Sequence, residues 1–205
     1  MLNETKVSFR PSPRPFIKKK GWARCMKKFL SFVWEIGKIV LIALIIVAPI
    51  RYFLFQPFFV KGQSMEPSFE DGDYLIIDEL SYRFRTPQRG EVIVFKYPYD
   101  ENQRYIKRII GLPGEKVEVS NGKVTIFNEA GTIVLTEEYL LGNGFTPGNV
   151  SLTLGEDEYF VLGDNRDSSS DSRRWGSLKK EEIVGRVFLR AWPFVALAKI
   201  EVPSY

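Results

Sequence analysis

Between Phe29 and Phe59 the chain reads FLSFVWEIGKIVLIALIIVAPIRYFLFQPFF, with an unbroken apolar run from Ile39 to Ile50. The run alone is too short to cross a bilayer. Extended back to Phe29, with Glu35 and Lys38 paired at i,i+3 near one interface, it supplies the roughly 20 residues that hydrocarbon requires. The sequence therefore predicts one transmembrane helix over residues 29–56, and everything else must fold on either side of it. Lys18, Lys19, Lys20, Arg24, Lys27 and Lys28 precede the run. By the positive-inside rule, residues 1–28 form a basic cytoplasmic segment and residues 57–205 lie outside. A cleavable signal peptide is the rival reading, but the run is followed by Arg51-Tyr52-Phe53-Leu54-Phe55 and not by a small-residue cleavage site.

The net charge of +4 hides an asymmetry. Residues 1–38 carry ten Lys/Arg against Glu4 and Glu35, whereas the remainder holds 19 Lys/Arg and 23 Asp/Glu. A phosphate-tracking surface needs a basic patch on the main domain, so nucleic acid is not an expected partner. With no histidine and one cysteine, Cys25, the chain lacks the material for common zinc sites, His-based triads or an intrachain disulfide. No metal or organic cofactor is expected.

Beyond Lys61 the pattern is that of strands. Tyr74–Ile77, Glu91–Phe95, Tyr105–Ile110 and Tyr159–Leu162 are short β-branched and aromatic runs bounded by turn residues. Val117–Ser120 and Lys123–Phe127 flank Asn121-Gly122, a two-residue hairpin signal, and a further turn leads into Thr132–Leu135. We read a mainly β domain with a small hairpin insertion around residues 115–155, and a short helical turn at Lys179–Val184. Ala191–Ala198 is either a final core strand or an aromatic patch resting on the bilayer.

Ser64 lies in Gly62-Gln63-Ser64-Met65-Glu66-Pro67, placed for presentation, yet a hydroxyl attacks a carbonyl only when a base removes its proton. In a chain without histidine that base is a lysine, a carboxylate or an amino terminus. Lys107 is the best candidate, because alternation puts it on the strand face of Tyr105 and Ile109, where its ammonium can be taken out of water. An ordinary edge-strand lysine is the alternative. Arg108 is expected to be solvated. A third feature, Gly163-Asp164-Asn165-Arg166-Asp167-Ser168-Ser169-Ser170-Asp171-Ser172-Arg173, follows a hydrophobic strand with hydroxyls and opposite charges able to orient an amine. It also reads as a solvated turn. As a calcium loop it lacks the glycine and glutamate that an EF-hand requires. Leu112-Pro113-Gly114-Glu115-Lys116 is a type II turn and not a phosphate loop.

Gly62–Pro67, Tyr105–Gly114 and Gly163–Arg173, in that order behind an apolar anchor, resemble three sequence boxes of the type I signal peptidases. The serine and lysine boxes alone are shared with self-cleaving repressors of the same broader clan; the third box and the anchor distinguish the peptidases. The resemblance runs from the anchor to about Trp192. It implies a membrane-bound serine endopeptidase, with a bacterial plasma membrane the simplest location although organelle-membrane relatives share these boxes, and a β-rich catalytic domain of coiled antiparallel sheets on the outer side. Such an enzyme removes signal peptides from secretory precursor proteins after small residues, with the lipid bilayer as its other partner. It further implies Ser64 as nucleophile, Lys107 as general base, Ser169 as the hydroxyl orienting the lysine, Asp171 and Arg173 as a structural ion pair, and Gly163 and Asn165 as loop-shaping residues. The oxyanion would be held by the Ser64 N–H and a second donor at Gly62, where one branch of the family carries a serine. Phe58, Val60, Met65, Tyr105 and Ile106 would bind substrate, laid beside them as an added strand. The single span is a departure from members that have two. The competing functions are a membrane-anchored binding domain, in which Ser64 and Lys107 are structural, and a self-processing Ser/Lys protein.

Overall fold

The computed structural model describes residues 20–53, 55–140, 144–193, 198–199 and 203. A long helix, α1, runs Lys20–Phe53. Its 22 residues Met26–Val47 form a stretch long and apolar enough to cross a membrane, and those side chains are exposed. At 1.5 Å per residue the stretch spans about 33 Å, close to the thickness of a hydrocarbon core. The helix ends at Phe53, short of residue 56, because Phe55–Phe59 forms strand β1 and pairs antiparallel with β2, Tyr74–Asp78.

The remaining described elements form a mainly β unit. After β2 come β3 (Val92–Tyr97), β4 (Asp100–Gly111), β5 (Lys116–Ser120), β6 (Lys123–Asn128), β7 (Gly131–Val134), β8 (Val150–Thr153) and β9 (Glu158–Leu162). A one-turn helix α2 (Ser172–Trp175) precedes β10 (Leu178–Lys179), β11 (Ile183–Trp192) and β12 (Ala198–Lys199). Two antiparallel sheets result. One has the order β1-β2-β11-β3-β4-β9-β10 with β12 beside β11; the other, β7-β6-β5-β8, occupies the segment read above as a hairpin insertion. The Asn121-Gly122 turn joins β5 to β6 with both residues at positive φ, as a two-residue hairpin demands.

β4 links everything. Its first half is polar and exposed, while Ile106 to Gly111 is buried on both faces. Ile106 packs with Val60, Met65, Leu75 and Val94; Ile109 packs with Ile93, Phe95, Tyr159 and Trp175; Ile110 packs with Val117 and Ile126 of the second sheet, with Leu154 and with Phe160 of β9. One strand thus contributes an isoleucine to each of three cores.

One strand has no counterpart in the pattern read above, and one turn is sharpened. Ile183–Trp192 is an interior strand between β2 and β3, although Gly185, Arg186 and Arg190 interrupt its apolar pattern; Arg186 pairs with Asp78 of β2 and Arg190 with Asp73 just before it. The turn expected at Lys179–Val184 is a 3₁₀ turn of Lys180–Glu182, after which Ile183 already starts β11. Of Ala191–Ala198, Ala191 and Trp192 end β11 and Ala198 pairs with Arg190, while residues 194–197 lie outside the described residues.

Gly111 closes β4 where no Cβ fits: one would meet Val117 Cγ2 at 2.5 Å, Leu154 Cδ1 at 2.8 Å and Phe160 Cβ at 2.9 Å. Gly111→Ala is expected to lower stability by about 1–3 kcal/mol through overpacking, seen as a lower urea midpoint of the full chain in detergent with an unchanged slope.

Candidate active site

Ser64 is delivered by a segment tied down at both ends. Val60 N–H donates to Asp73 O at 2.9 Å and Gly72 N–H donates to Val60 O at 3.0 Å, which fixes the chain as it leaves β1. Gly62 then turns at φ +87°, a conformation that costs glycine little. Beyond Ser64, Met65 and Phe69 are buried and joined by a Phe69 N–H to Met65 O bond of 2.9 Å. Ser64 is left partly exposed, with exposed Gln63 on one side and a buried anchor on the other.

Lys107 comes from the doubly covered half of β4 and is 4% exposed. Its Nζ donates to Ser64 Oγ at 2.7 Å and to Ile106 O at 2.8 Å, and lies 5.6 Å from the centre of the Tyr105 ring. Burial pulls its pKa down from 10.5 to about 8, against the opposing pull of the Asp171 and Asp164 carboxylates. An amine so placed loses its proton within reach of neutrality, beside a hydroxyl at hydrogen-bond distance.

The loop after β9 closes the arrangement. Asn165 N–H donates to Ser64 O at 3.1 Å, joining the loop to the Ser64 segment through their backbones. Gly163 is packed so closely that a Cβ would overlap Ser169 Oγ, Ser169 Cβ and Ser64 O. Asp171 accepts from Gly163 N–H at 3.2 Å, and from Arg173 Nε and an Arg173 terminal nitrogen at 2.8 Å each, while capping α2. Its carboxyl stays below the usual range because these donors, with Arg173 first, outweigh its burial.

Four expectations are altered by the geometry. Arg108 is buried, not solvated: it donates to both oxygens of Asp164 at 2.9 and 2.6 Å and to Gly90 O at 2.8 Å. Ser169 helps to hold Asp171 ionised, but its buried Oγ lies outside the geometry of a formed hydrogen bond, and Lys107 donates to Ser64 and Ile106. Gly62 N–H donates to Asp71 Oδ1 at 2.6 Å, so that amide is already committed and supplies no ready second oxyanion donor. Val60 and Met65 are core residues behind the site. The open cleft of about 730 Å³ in front of it is lined by Phe58, Phe59, Tyr105 and Ile106 with Lys61–Ser64, Asn102–Arg104, Lys107, Ser168 and Ser170.

Sequence reasoning missed Asp164 as the partner of Arg108, and Glu137, whose carboxylate binds Arg166 at 2.8 and 2.5 Å. Glu137 and Arg166 are 29 positions apart. No local pattern marks such a pair. Among the described residues no cluster of cysteine, aspartate and glutamate gathers around a position fit for a metal ion.

A family model described as signal peptidase, peptidase S26, matches residues 33–192. A probable signal peptidase I-2 of Synechocystis sp. is 40% identical, the match covering 78% of this chain and 73% of that protein. The signal peptidase I of Leptolyngbya laminosa is 34% identical across 95% of this chain and 97% of its own, and that of Bacillus caldolyticus is 36% identical across 77% and 90%. A match over most of the length, through the Ser64 segment, β4 and the loop after β9, establishes the family: the chain belongs to the signal peptidases of peptidase family S26.

Proposed function

We propose that this signal peptidase cleaves N-terminal signal peptides from secretory precursors after small residues, with Ser64 as nucleophile and Lys107 as general base. The observation that carries the reading is the 2.7 Å contact between Lys107 Nζ and Ser64 Oγ, made by an amine held almost wholly out of water. With the amine neutral, the hydroxyl proton lies along this contact. Ser64 Oγ attacks the scissile carbonyl carbon as its proton passes to Nζ. The resulting ammonium protonates the leaving amine, and an ester to Ser64 remains. A water then attacks that ester, again giving its proton to Nζ, and Ser64 Oγ leaves and recovers the proton. The Ser64 N–H is the proposed first oxyanion donor.

The precursor would lie extended in the cleft between Phe58 and Tyr105–Ile106, adding a strand. Ser169, a buried hydroxyl next to Gly163 and Asp171, is proposed to steady the lysine once it is charged, and Asp171–Arg173 to keep the loop in place. We further propose the division drawn above with its boundary moved to the helix end: a basic cytoplasmic segment at residues 1–28, a span within residues 29–53 and an extracytoplasmic domain after it. The excess of ten Lys/Arg over two Glu in residues 1–38 supports that orientation. Anchoring in the bilayer then confines enzyme and precursor to one surface and raises their effective concentration.

Intact protein in detergent is expected to cut a purified precursor after a small residue, as read by sequencing the new N-terminus. Folded Ser64→Ala and Lys107→Met should lose at least about a thousandfold in activity. Persistent cleavage by either variant would show the assignment to be wrong. Because the neutral amine is the base, kcat/KM should rise with pH through about 8 and level off above it. A pH-independent rate from pH 6 to 10 would exclude Lys107 as that base.

Lys107→Met should change stability in the opposite direction to activity. The folded state lowers the Lys107 pKa from 10.5 to about 8, so the unfolded chain binds more protons between those values, and the penalty of burying an ammonium is complete below about pH 8. Lys107→Met is therefore expected to stabilise the protein at pH 7 by up to about 3 kcal/mol, the gain fading as pH rises through 8 toward 10.5. Denaturant midpoints measured at pH 7 and pH 10.5 test this.

A further inference from the structure

The connection from β7 to β8 leaves the second sheet and returns to it, and on the way its residues take hold of three arginines of the catalytic layer. Glu137 binds Arg166 through both oxygens, with both side chains at 3–4% exposure. Tyr139 donates its hydroxyl proton to Glu137 Oε1 at 2.5 Å, and its ring lies 4.2 Å from the Arg108 guanidinium carbon. Thr146, fully buried, accepts a second bond from Arg166, and Pro147 O accepts from Arg173 at 3.0 Å.

These arginines are not placed at random. Arg108 grips both oxygens of Asp164, Arg166 lies within the field of the same carboxylate, and Arg173 grips Asp171. Asp164 and Asp171 are the two carboxylates whose charge reaches Lys107. The other groups facing its amine are Ser64 Oγ, Ile106 O and the Tyr105 ring. Each acid acting on the lysine is thus opposed by an arginine whose far side is held by the same connection.

We propose that Glu137, Tyr139 and Thr146 are positioning residues for the Ser64–Lys107 pair: they hold Arg108 and Arg166 beside Asp164 and so set how much negative charge the Lys107 amine feels. This rests on reading Lys107 as the base. A buried pair that merely stiffened the loop would alter how much enzyme is folded. A pair that sets the field alters where the lysine titrates. If Arg108 or Arg166 drifts from Asp164, more of that carboxylate's charge reaches Lys107, its proton is held more tightly, and the rise of rate with pH moves to higher pH.

The test is the pH profile of kcat/KM for precursor cleavage by the full chain in detergent. Tyr139→Leu removes the ring from Arg108, and Thr146→Val removes one partner of Arg166 while leaving its charge pair intact. Each is expected to move the rising limb upward by about half a pH unit, which is about a threefold loss at pH 7 that closes on the plateau above it. Tyr139→Phe, which restores the ring without the hydroxyl, should bring the limb back. A limb that stays in place, a limb that moves to lower pH, or a loss by the same factor at every pH overturns the proposal. Absence of any limb in the parent protein overturns the reading of Lys107 as base and this proposal with it, so the two failures are told apart by the parent profile alone.

Discussion

Lys107 escapes water because β4 is covered on both faces from Ile106 to Gly111. Ile106, Ile109 and Ile110 fill three different cores. A slip of one residue would send each to the wrong face, and Lys107 with them. The register that builds the domain is thereby the register that places the amine against Ser64. Gly111 extends the constraint: it lets β4 approach Val117 of the second sheet, Leu154 and the neighbouring Phe160 of β9 more closely than any side chain permits.

Within that setting the difference between arginine and lysine becomes chemistry. Arginine does not surrender its proton, so a buried guanidinium must be matched by an anion. Arg108, Arg166 and Arg173 each have one, in Asp164, Glu137 and Asp171. Lys107 stands among them with hydrogen bonds to a hydroxyl and a carbonyl only, and the acids that reach it are already engaged by arginines. Burial therefore acts on it with little compensation, and lysine, unlike arginine, can respond by releasing a proton. The surrounding ion pairs are what permit one uncompensated amine in a layer rich in charge.

The strands with clean patterns were legible: the Asn121-Gly122 hairpin, β2, β3, the second half of β4 and β9 all follow from alternation and turn chemistry. β11 was not. Its Arg186 and Arg190 look like solvent-facing breaks until their partners Asp78 and Asp73, more than a hundred positions earlier, are brought alongside by pairing with β2. The same cause hid the burial of Arg108, since Asp164 is 56 positions away, and the grip of Glu137 on Arg166. Ser64 and Lys107 could be singled out as candidates because the missing histidine narrows the choice of base and their motifs resemble a known family. The structure brings them to 2.7 Å across 43 positions. What local pattern could not supply was the second tier of charges, because charge pairs between distant segments leave no periodic trace.

A lysine base asks for something a histidine base does not. Histidine titrates near neutrality in water, whereas lysine must be kept dry to do so, and that dryness has to coexist with access for a peptide. With Lys107 as the proposed base, the two demands fall on different residues. Ser64 is partly exposed at the cleft, and Lys107 reaches it from behind through a covered strand. A peptide lying extended over Phe58, Tyr105 and Ile106 would cover the remaining open side and exclude water from the contact between them, deepening the desolvation that the fold has begun. Occupancy of the cleft and activation of the amine would then favour each other, which gives a histidine-free site a physical reason to react with bound peptide in preference to solvent.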